Sequence, residues 1–496
     1  MKKEAIDLGL SPLLRLDPAS QIPLYQQIYE GLRNAILNGQ MVPGQRLPPT
    51  RLLATDLAVS RNTVLNAFSQ LMAEGYLTGI IGSGTYVVKD LPEELLQARR
   101  VVSNNTERLH ISNTVPGTHR RGGSWMDYLF NEMERMGPFT PGLPAIDAFP
   151  RSVWTRLAER HWRNLPNASL GYRDLMGYKP LREAIARYLM AARGVHCDLD
   201  QILIVNGSQQ ALDLTARTIT KPGEEAWIED PHYFWARQAL ITAGAKLVSV
   251  PVDSDGLQVE VGIRKSPDAR LVYVTPSCQF PLGVTMSLTR RLKILDWARQ
   301  SGAWILEDDY QSELWYQSRP LTSLQGLDTY DRVIYTGTFS KALFPALRVG
   351  YLVLPPDLIE KFFMTRLSSN LFNSVLEQVV LTHFIEEGHL SRHLRRMRNL
   401  YGERQEALVE AMTKLLGGMV DVRAANAGLH LIAWLPESSD DNEAVEHLFQ
   451  EDIISRPLSF YCLDRKLRPG LLLGFAAFDE KDIWLNVLRI ARLLRV

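Results

Sequence analysis

Lys341 sits in the stretch GTFSKALFPALRVG, Gly337 to Gly350, with Thr338 and Ser340 just before it and Arg348 just after. A lysine amine that is partly deprotonated can form a Schiff base with an aldehyde cofactor. Two hydroxyls and a guanidinium are donors for a phosphate dianion, the arginine being its charged partner. A second donor set follows the run QILIVNG, where Gly207, Ser208 and Gln209 open a helix after a strand. Backbone N–H groups at a helix start suit the same phosphate. Asp308, at the end of AWILEDDY, can keep a pyridinium nitrogen protonated and so make the ring an electron sink. Tyr310 can donate to a phenolic oxygen on that ring, and Tyr233 in EDPHYFWAR offers a face for stacking. Taken singly, each has an ordinary reading: a surface loop, a strand-end carboxylate, a core aromatic. Taken together, they fall at successive strand ends of one α/β segment.

That segment runs from about residue 137 to the end. Helical stretches alternate there with β-branched runs: QILIVNG, EEAWIED, KLVSVPV, RLVYVTP, AWILEDD and RVIYTGT. The alternation predicts βαβ units and a mainly parallel sheet, with ligands at the C-terminal ends of the strands. The last hundred residues read as a smaller α+β part. Residues 89–136 mix charge, Asn, Thr and Gly with weak periodicity, which predicts a linker.

Residues 22–88 predict three short helices and two strands, a winged helix-turn-helix. Tyr25, Ile28, Tyr29, Leu32 and Ile36 keep helical spacing before Gly39. Thr50 is placed to cap a second helix and Ser60 a third, whose apolar stripe is Val64, Ala67, Phe68 and Leu71. Arg51, Ser60, Arg61, Asn62 and Thr63 are residue types that contact phosphates and bases, and Gly82 and Gly84 allow a tight wing tip. The alternative is a protein-interaction module, because four arginines against Glu30, Asp56 and Glu74 leave this region at only +1.

The whole chain of 496 residues has 55 basic and 55 acidic side chains, so any affinity for nucleic acid has to come from a local patch. Three distant cysteines suggest a reducing compartment. Without an apolar run of membrane-spanning or signal-peptide length, a cytoplasmic protein is expected, with no membrane partner and no metal.

Residues 23–87 resemble the GntR-type winged-helix domain, with L-P-P-x-R-x-L-A, V-S-R-x-T-V and G-x-G-T-[FY]-V in order. The resemblance puts DNA contacts on Arg51, Arg61, Asn62, Thr63 and Gly82. A frequent basic contact one turn into the third helix falls on Leu65 or Asn66. Residues 137–496 resemble fold-type I pyridoxal 5'-phosphate (PLP) aminotransferases through PGLPAIDAFP, LGYRDLMGYKPLREAIARYL, GSQQALDL, TPSCQFPLGVTMS, EDDYQSE and FSKALFPALRVGY. The two together resemble the MocR-type regulators. This resemblance implies PLP on Lys341, double-stranded operator DNA as a partner, and a homodimer in which Tyr172 reaches the neighbouring subunit's phosphate. It extends to PdxR-like members, which control vitamin B6 synthesis and respond to PLP.

Two positions depart from the aminotransferase pattern. Phe280 stands where an asparagine usually meets the cofactor's phenolic oxygen, so Gln279 or Cys278 has to substitute or the bond is absent. Leu472 in GLLLGFAAF stands where an arginine usually takes the substrate carboxylate, a contact worth about 1.5–3 kcal/mol. No charged residue replaces it locally in sequence, though Arg465 and Arg468 lie just upstream. Efficient transamination of ordinary amino acids is therefore not expected. The resulting expectation is a PLP-sensing regulator rather than an enzyme. The alternatives are a sensor of an amine condensed with PLP, an aminotransferase carrying an accessory DNA-binding domain, or a scaffold that has lost its cofactor.

Overall fold

The structure, a computed structural model, describes residues 14, 16–18, 20, 22–80, 83–88, 136–164, 166, 171, 174–316 and 322–494. They belong to two compact units, Met1–His119 and Arg120–Val496. The expected linker, apart from Met136, lies outside the described residues, as do Gly82 and Tyr172.

In the first unit, helices α1 (Leu24–Leu37), α2 (Thr50–Asp56) and α3 (Arg61–Ala73) precede a hairpin of β1 (Leu77–Ile80) and β2 (Gly84–Val87). α1 buries Ile28, Leu32, Ala35 and Ile36, and α3 buries Val64, Ala67, Phe68 and Leu71, so both amphipathic stripes meet in one core. Ser60 caps α3, accepting from the Thr63 backbone N–H at 3.1 Å. Two local expectations change. Thr50 is the first residue of α2 and makes no cap, because Pro49 holds the preceding position. Tyr25 is exposed and leaves the α1 stripe to its neighbours.

The second unit is built on an eight-stranded sheet. Its strands are β3 (Ile202–Val205), β4 (Glu225–Asp230), β5 (Lys246–Asp253), β6 (Gly256–Leu257), β7 (Leu271–Val274), β8 (Trp304–Asp308), β9 (Val333–Thr338) and β10 (Gly350–Val353). The order across the sheet is β3-β10-β9-β8-β7-β4-β5-β6. β5, β4, β7, β8 and β9 run parallel in that succession. β10 is antiparallel to both β3 and β9 and was not among the runs that stood out in the sequence. β3, β7, β8 and β9 are buried along their whole length, which explains their unbroken apolar runs.

A second sheet, wholly antiparallel, has the order β11-β12-β14-β13, from β11 (Asp421–Val422), β12 (His430–Trp434), β13 (Arg456–Pro457) and β14 (Gly470–Gly474). Helices His389–Leu416, Asp441–Gln450 and Glu480–Leu493 accompany it, giving the smaller α+β part. Among the described residues no helix is long and apolar enough to cross a membrane.

At the edge where the parallel strands end, β10 meets the start of helix Gly207–Ile219. A Cβ added at Gly350 lies 3.0 Å from the Gly207 Cα and 3.0 Å from the Gly337 carbonyl oxygen, both backbone atoms. Gly350→Ala therefore wedges the sheet away from that helix. It is expected to cost about 1–3 kcal/mol in a urea titration followed by tryptophan fluorescence. An unchanged midpoint is the result that contradicts this packing.

Candidate cofactor pocket and DNA-binding face

A cavity of ≈ 280 Å³ opens at the C-terminal ends of the parallel strands. Ser208, Tyr233, Asp308, Tyr310, Thr338, Ser340, Lys341 and Arg348 all line it, although they come from six different loops and strand ends. The Gln209 side chain does not line the cavity, so its contribution is confined to the backbone of the helix start.

The Lys341 amine donates to the Gly142 carbonyl at 2.8 Å. Burial lowers its pKa to about 8, helped by the Arg348 charge and opposed by Asp308. The nucleophilic free amine is thus a minor but far larger fraction near neutral pH than for an ordinary lysine. Asp308 accepts from the Tyr273 hydroxyl through Oδ2 at 2.9 Å, while its Oδ1 is buried without a partner. Burial raises the Asp308 pKa to about 7; the Tyr273 hydrogen bond opposes the rise, Asp309 adds to it, and Lys341 opposes it. A protonated ring nitrogen donating to Oδ1 would satisfy that orphan and restore the ionised form.

The phosphate end is similarly prepared. Gly207 and Ser208 begin a helix, so their N–H groups lack intrahelical partners. The Ser340 hydroxyl is buried and unpartnered. Arg348, at φ +49°, donates to the Asn206 carbonyl at 2.9 Å and lies along Gly207. Gly207 has φ +71°, and a Cβ there lies 3.1 Å from the Arg348 guanidinium, so the close approach requires glycine. An orphaned acid oxygen, an orphaned hydroxyl, helix-start N–H groups, an arginine and a partly deprotonated lysine together fit PLP.

Of the outcomes open at Phe280, substitution by Gln279 or Cys278 is ruled out, and at Leu472 neither arginine just upstream reaches in. Gln279 is buried and fully engaged, donating to the Pro231 carbonyl at 2.8 Å and accepting from the Leu282 N–H at 3.1 Å, so it does not replace the missing asparagine. Cys278 is buried behind the wall, receiving Gln311 Nε2 at 3.2 Å. Gln311 lines the cavity instead, with Nε2 also 2.9 Å from the Tyr310 hydroxyl and Oε1 unpartnered. Phe280 becomes an aromatic hub, edge-on to Tyr233 at 5.3 Å, His430 at 5.5 Å and Tyr461 at 5.1 Å. Leu472 is buried against Phe234, Ile432, Leu458 and Tyr461. Arg465 and Arg468 point away, bonding the Val252 and Leu435 carbonyls. The charged residue beside Leu472 is Arg456, its cross-strand partner, which lines the cavity. Tyr273, Gln311, His430 and Arg456 escaped the sequence reading. Only Tyr273 carried a local signal, a hydroxyl inside the apolar run RLVYVTP.

In the first unit Arg51, Ser60, Arg61 and Asn62 are exposed and Thr63 is half-buried at the start of α3. The Ser60 and Thr63 hydroxyls hydrogen-bond each other at 2.8 Å, which fixes the helix start. Arg33 donates to Tyr76 at 3.0 Å, and the Arg46 guanidinium lies over Gly84, 2.9 Å from where a Cβ would stand. Arg51 and Arg61 are the two remaining arginines of residues 22–88, and both lie on the surface of α2 and α3.

Comparison with known proteins agrees with both folds. Residues 24–87 match the bacterial regulatory proteins of the gntR family, and residues 147–482 match aminotransferase class I and II. The probable rhizopine catabolism regulatory protein MocR of Rhizobium meliloti is 41% identical over 97% of this chain and 96% of its own. The pyridoxine biosynthesis transcriptional regulator PdxR of Corynebacterium glutamicum is 30% identical over 95% of this chain and 96% of its own. A kynurenine aminotransferase of Pyrococcus horikoshii, solved with PMP, superposes with a TM-score of 0.69 at 29% identity, over 76% of this chain and 95% of its own. The chain belongs to the MocR-type transcription regulators, in which a GntR DNA-binding domain is joined to an aminotransferase-like domain whose cofactor is pyridoxal 5'-phosphate.

Proposed function

We propose that occupancy of the PLP pocket sets the affinity of the winged helix for operator DNA. In this reading PLP is itself the effector and vitamin B6 genes are the target, in a cytoplasmic homodimer that does not turn over substrate. The division is into residues 22–88 for DNA, 89–136 as linker and 137–496 for PLP and dimerisation. The observation that carries the reading is the pocket itself: a lysine amine at about 8, beside an orphaned Asp308 oxygen and an orphaned Ser340 hydroxyl. The name of the PdxR relative supports the choice of effector. Leu472, buried among apolar side chains, supports binding without turnover.

PLP when bound supplies an aldehyde that captures amines and a ring that withdraws electrons. The rest of the work belongs to the chain. Ser208, Thr338, Ser340, Arg348 and the helix-start N–H groups would hold the phosphate, and Asp308 would keep the ring nitrogen protonated. Tyr233 would cover the ring, and Tyr310 and Gln311 would offer donors to its phenolic oxygen. Lys341 Nζ would give the covalent tie, leaving its bond to Gly142. A ligand shifts a conformational equilibrium only by its differential affinity, so operator binding has to differ with and without PLP. A second reading, in which an amine joins PLP as effector, is favoured by Arg456 in the cavity wall.

Four outcomes test this. Operator affinity measured at fixed salt is expected to change on adding PLP to the apo-protein, and equal affinities overturn the sensor reading. Uptake of PLP, followed by absorbance, is expected to accelerate as pH rises through about 8, because the free amine of Lys341 is the reacting form. Lys341→Ala is expected to abolish the covalent adduct, and a borohydride-reduced adduct on another lysine contradicts the assignment. Arg51→Ala and Arg61→Ala are each expected to weaken operator binding and lower the salt slope by about one. Wild-type binding by both variants overturns the proposed docking face.

A further inference from the structure

Helix Arg151–Arg163 and the first three turns of helix His389–Leu416 lie outside both sites, and together they carry eight arginines and no lysine. Glu159 is the sole acid in these two stretches of sequence. Both helices pack on helix Val375–Glu386. Its Phe384 ring meets Phe149 and Trp154 at the start of the shorter helix and His389 at the start of the longer one. Two ties hold the pair side by side in opposite directions. Arg160, late in the shorter helix, is ion-paired at 2.5 Å with Glu387, just before the longer one. Arg396, two turns into the longer helix, reaches the Ala148 carbonyl just before the shorter one.

Arg156, Arg160 and Arg163 recur at i, i+4 and i+7 and so share one stripe, which the Arg160–Glu387 pair turns toward the longer helix. Arg392, Arg395 and Arg396 stand within little more than one turn of that helix, and all six arginines are exposed. Among the described residues Arg156, Arg163 and Arg395 make no hydrogen bond and no ion pair. Arg392 and Arg396 bond the Glu387 and Ala148 carbonyls, which leaves their charge unmatched. The acids beside them, Glu386 and Glu387, are already paired with Arg187 and Arg160. Trp162 is the one large apolar side chain exposed on the two stretches, so the face lacks the apolar centre of a protein interface. Guanidinium forks fit phosphate oxygens, and arginine is the residue that grips them with two hydrogen bonds. The shorter helix spans roughly 20 Å, and duplex DNA carries one charge per ~1.7 Å of axis, so a face of this length meets several phosphates.

We propose that this face of the second unit binds the phosphate backbone of double-stranded DNA, as a contact separate from the winged helix and indifferent to base sequence. It rests on the chain being a DNA-binding protein and goes beyond the docking face on α2 and α3, where Arg51 and Arg61 are the exposed cations.

Full-length protein is titrated with a duplex of about 60 base pairs and random sequence, by fluorescence anisotropy over a series of salt concentrations. The triple variant Arg156→Gln, Arg163→Gln, Arg395→Gln is expected to lower the slope of log affinity against log salt by about two to three, close to one per phosphate contact removed. The same loss is expected in a chain that also carries Arg51→Ala and Arg61→Ala. Arg156→Lys, Arg163→Lys and Arg395→Lys together are expected to keep most of the slope, since the charge persists. PLP absorbance and sedimentation are expected to match the wild type. Where the triple variant does not fold, each single glutamine variant is expected to lower the slope by about one. An unchanged slope in the folded variants, or no further loss in the chain lacking Arg51 and Arg61, overturns the proposal. A loss that comes only with a changed oligomeric state also overturns it and assigns the face to a contact between copies of this chain. A wild-type slope with Arg51→Ala and Arg61→Ala, alongside the expected loss in the triple variant, overturns the docking face on α2 and α3 and leaves this one standing.

Discussion

Three consecutive carboxylates at the end of β8, Glu307, Asp308 and Asp309, are the constraint around which the pocket is built. Buried acids are tolerated only where something answers their charge. Glu307 accepts the Leu324 and Gln325 N–H groups at 2.8 and 2.9 Å. Asp309 is held below the ordinary range: burial works against its charge, but Arg193 at 2.7 Å and the Tyr335 hydroxyl at 2.6 Å outweigh it. Asp308 alone faces the cavity, with one oxygen on Tyr273 and the other unanswered. The Arg193–Asp309 pair is buried on both sides, so losing one partner leaves an isolated charge in the core and costs far more than a surface pair. It fixes the direction in which β8 leaves the sheet, and with it the direction of Asp308. Asp309 Oδ1 also lacks a partner, but of these two orphaned oxygens only that of Asp308 belongs to a residue lining the cavity, where a ring nitrogen can satisfy it.

The same logic bears on DNA binding in a chain with no net charge. Positive charge has to be local, and several arginines in the second unit are committed to internal carbonyls, as with Arg182, Arg291 and Arg366. In the first unit Arg33 and Arg46 are spent on the wing and its support. Among the described residues Arg51 and Arg61 remain at the surface, on α2 and at the start of α3, Arg61 within 3.5 Å of the Thr50 hydroxyl, with Ser60 and Thr63 locking the helix start that carries it. A patch of two cations is small, which makes the shape of the helix start and its neutral donors Asn62 and Asn66 correspondingly important.

What could be read from the sequence was what is local in the sequence. A strand that ends in a loop brings its last residue to the sheet edge whatever the rest of the chain does. Lys341, Asp308, Ser208, Tyr233 and Arg348 were therefore legible from their runs alone. Arg456 was not, because its place depends on antiparallel pairing with Leu472, a contact that no local pattern announces. Gln279 and Cys278 misled for the complementary reason. Their chemistry suits the missing asparagine, but the turn they occupy turns one toward Pro231 and the other toward Gln311. Thr50 misled because Pro49 sets the helix start one residue earlier than a capping reading allows.

The two anchors of the pocket belong to different sheets, and this decides what each ligand can do. The phosphate cradle lies on the large sheet, at the ends of β9 and β3 and the start of β10. Arg456 lies on the small sheet, which is joined to the segment after Met136 by backbone hydrogen bonds from Gly474 to Phe139 at 2.8 Å and from Ile454 to Pro138 at 2.9 Å. That same segment carries Gly142, on which the Lys341 amine rests. PLP tied to Lys341 would take that amine from Gly142, so loading would change a contact between the large sheet and the segment bonded to the small one. Differential affinity between conformations is the sole means by which a ligand biases an equilibrium. A pocket walled by both sheets is therefore able to couple its occupancy to their spacing.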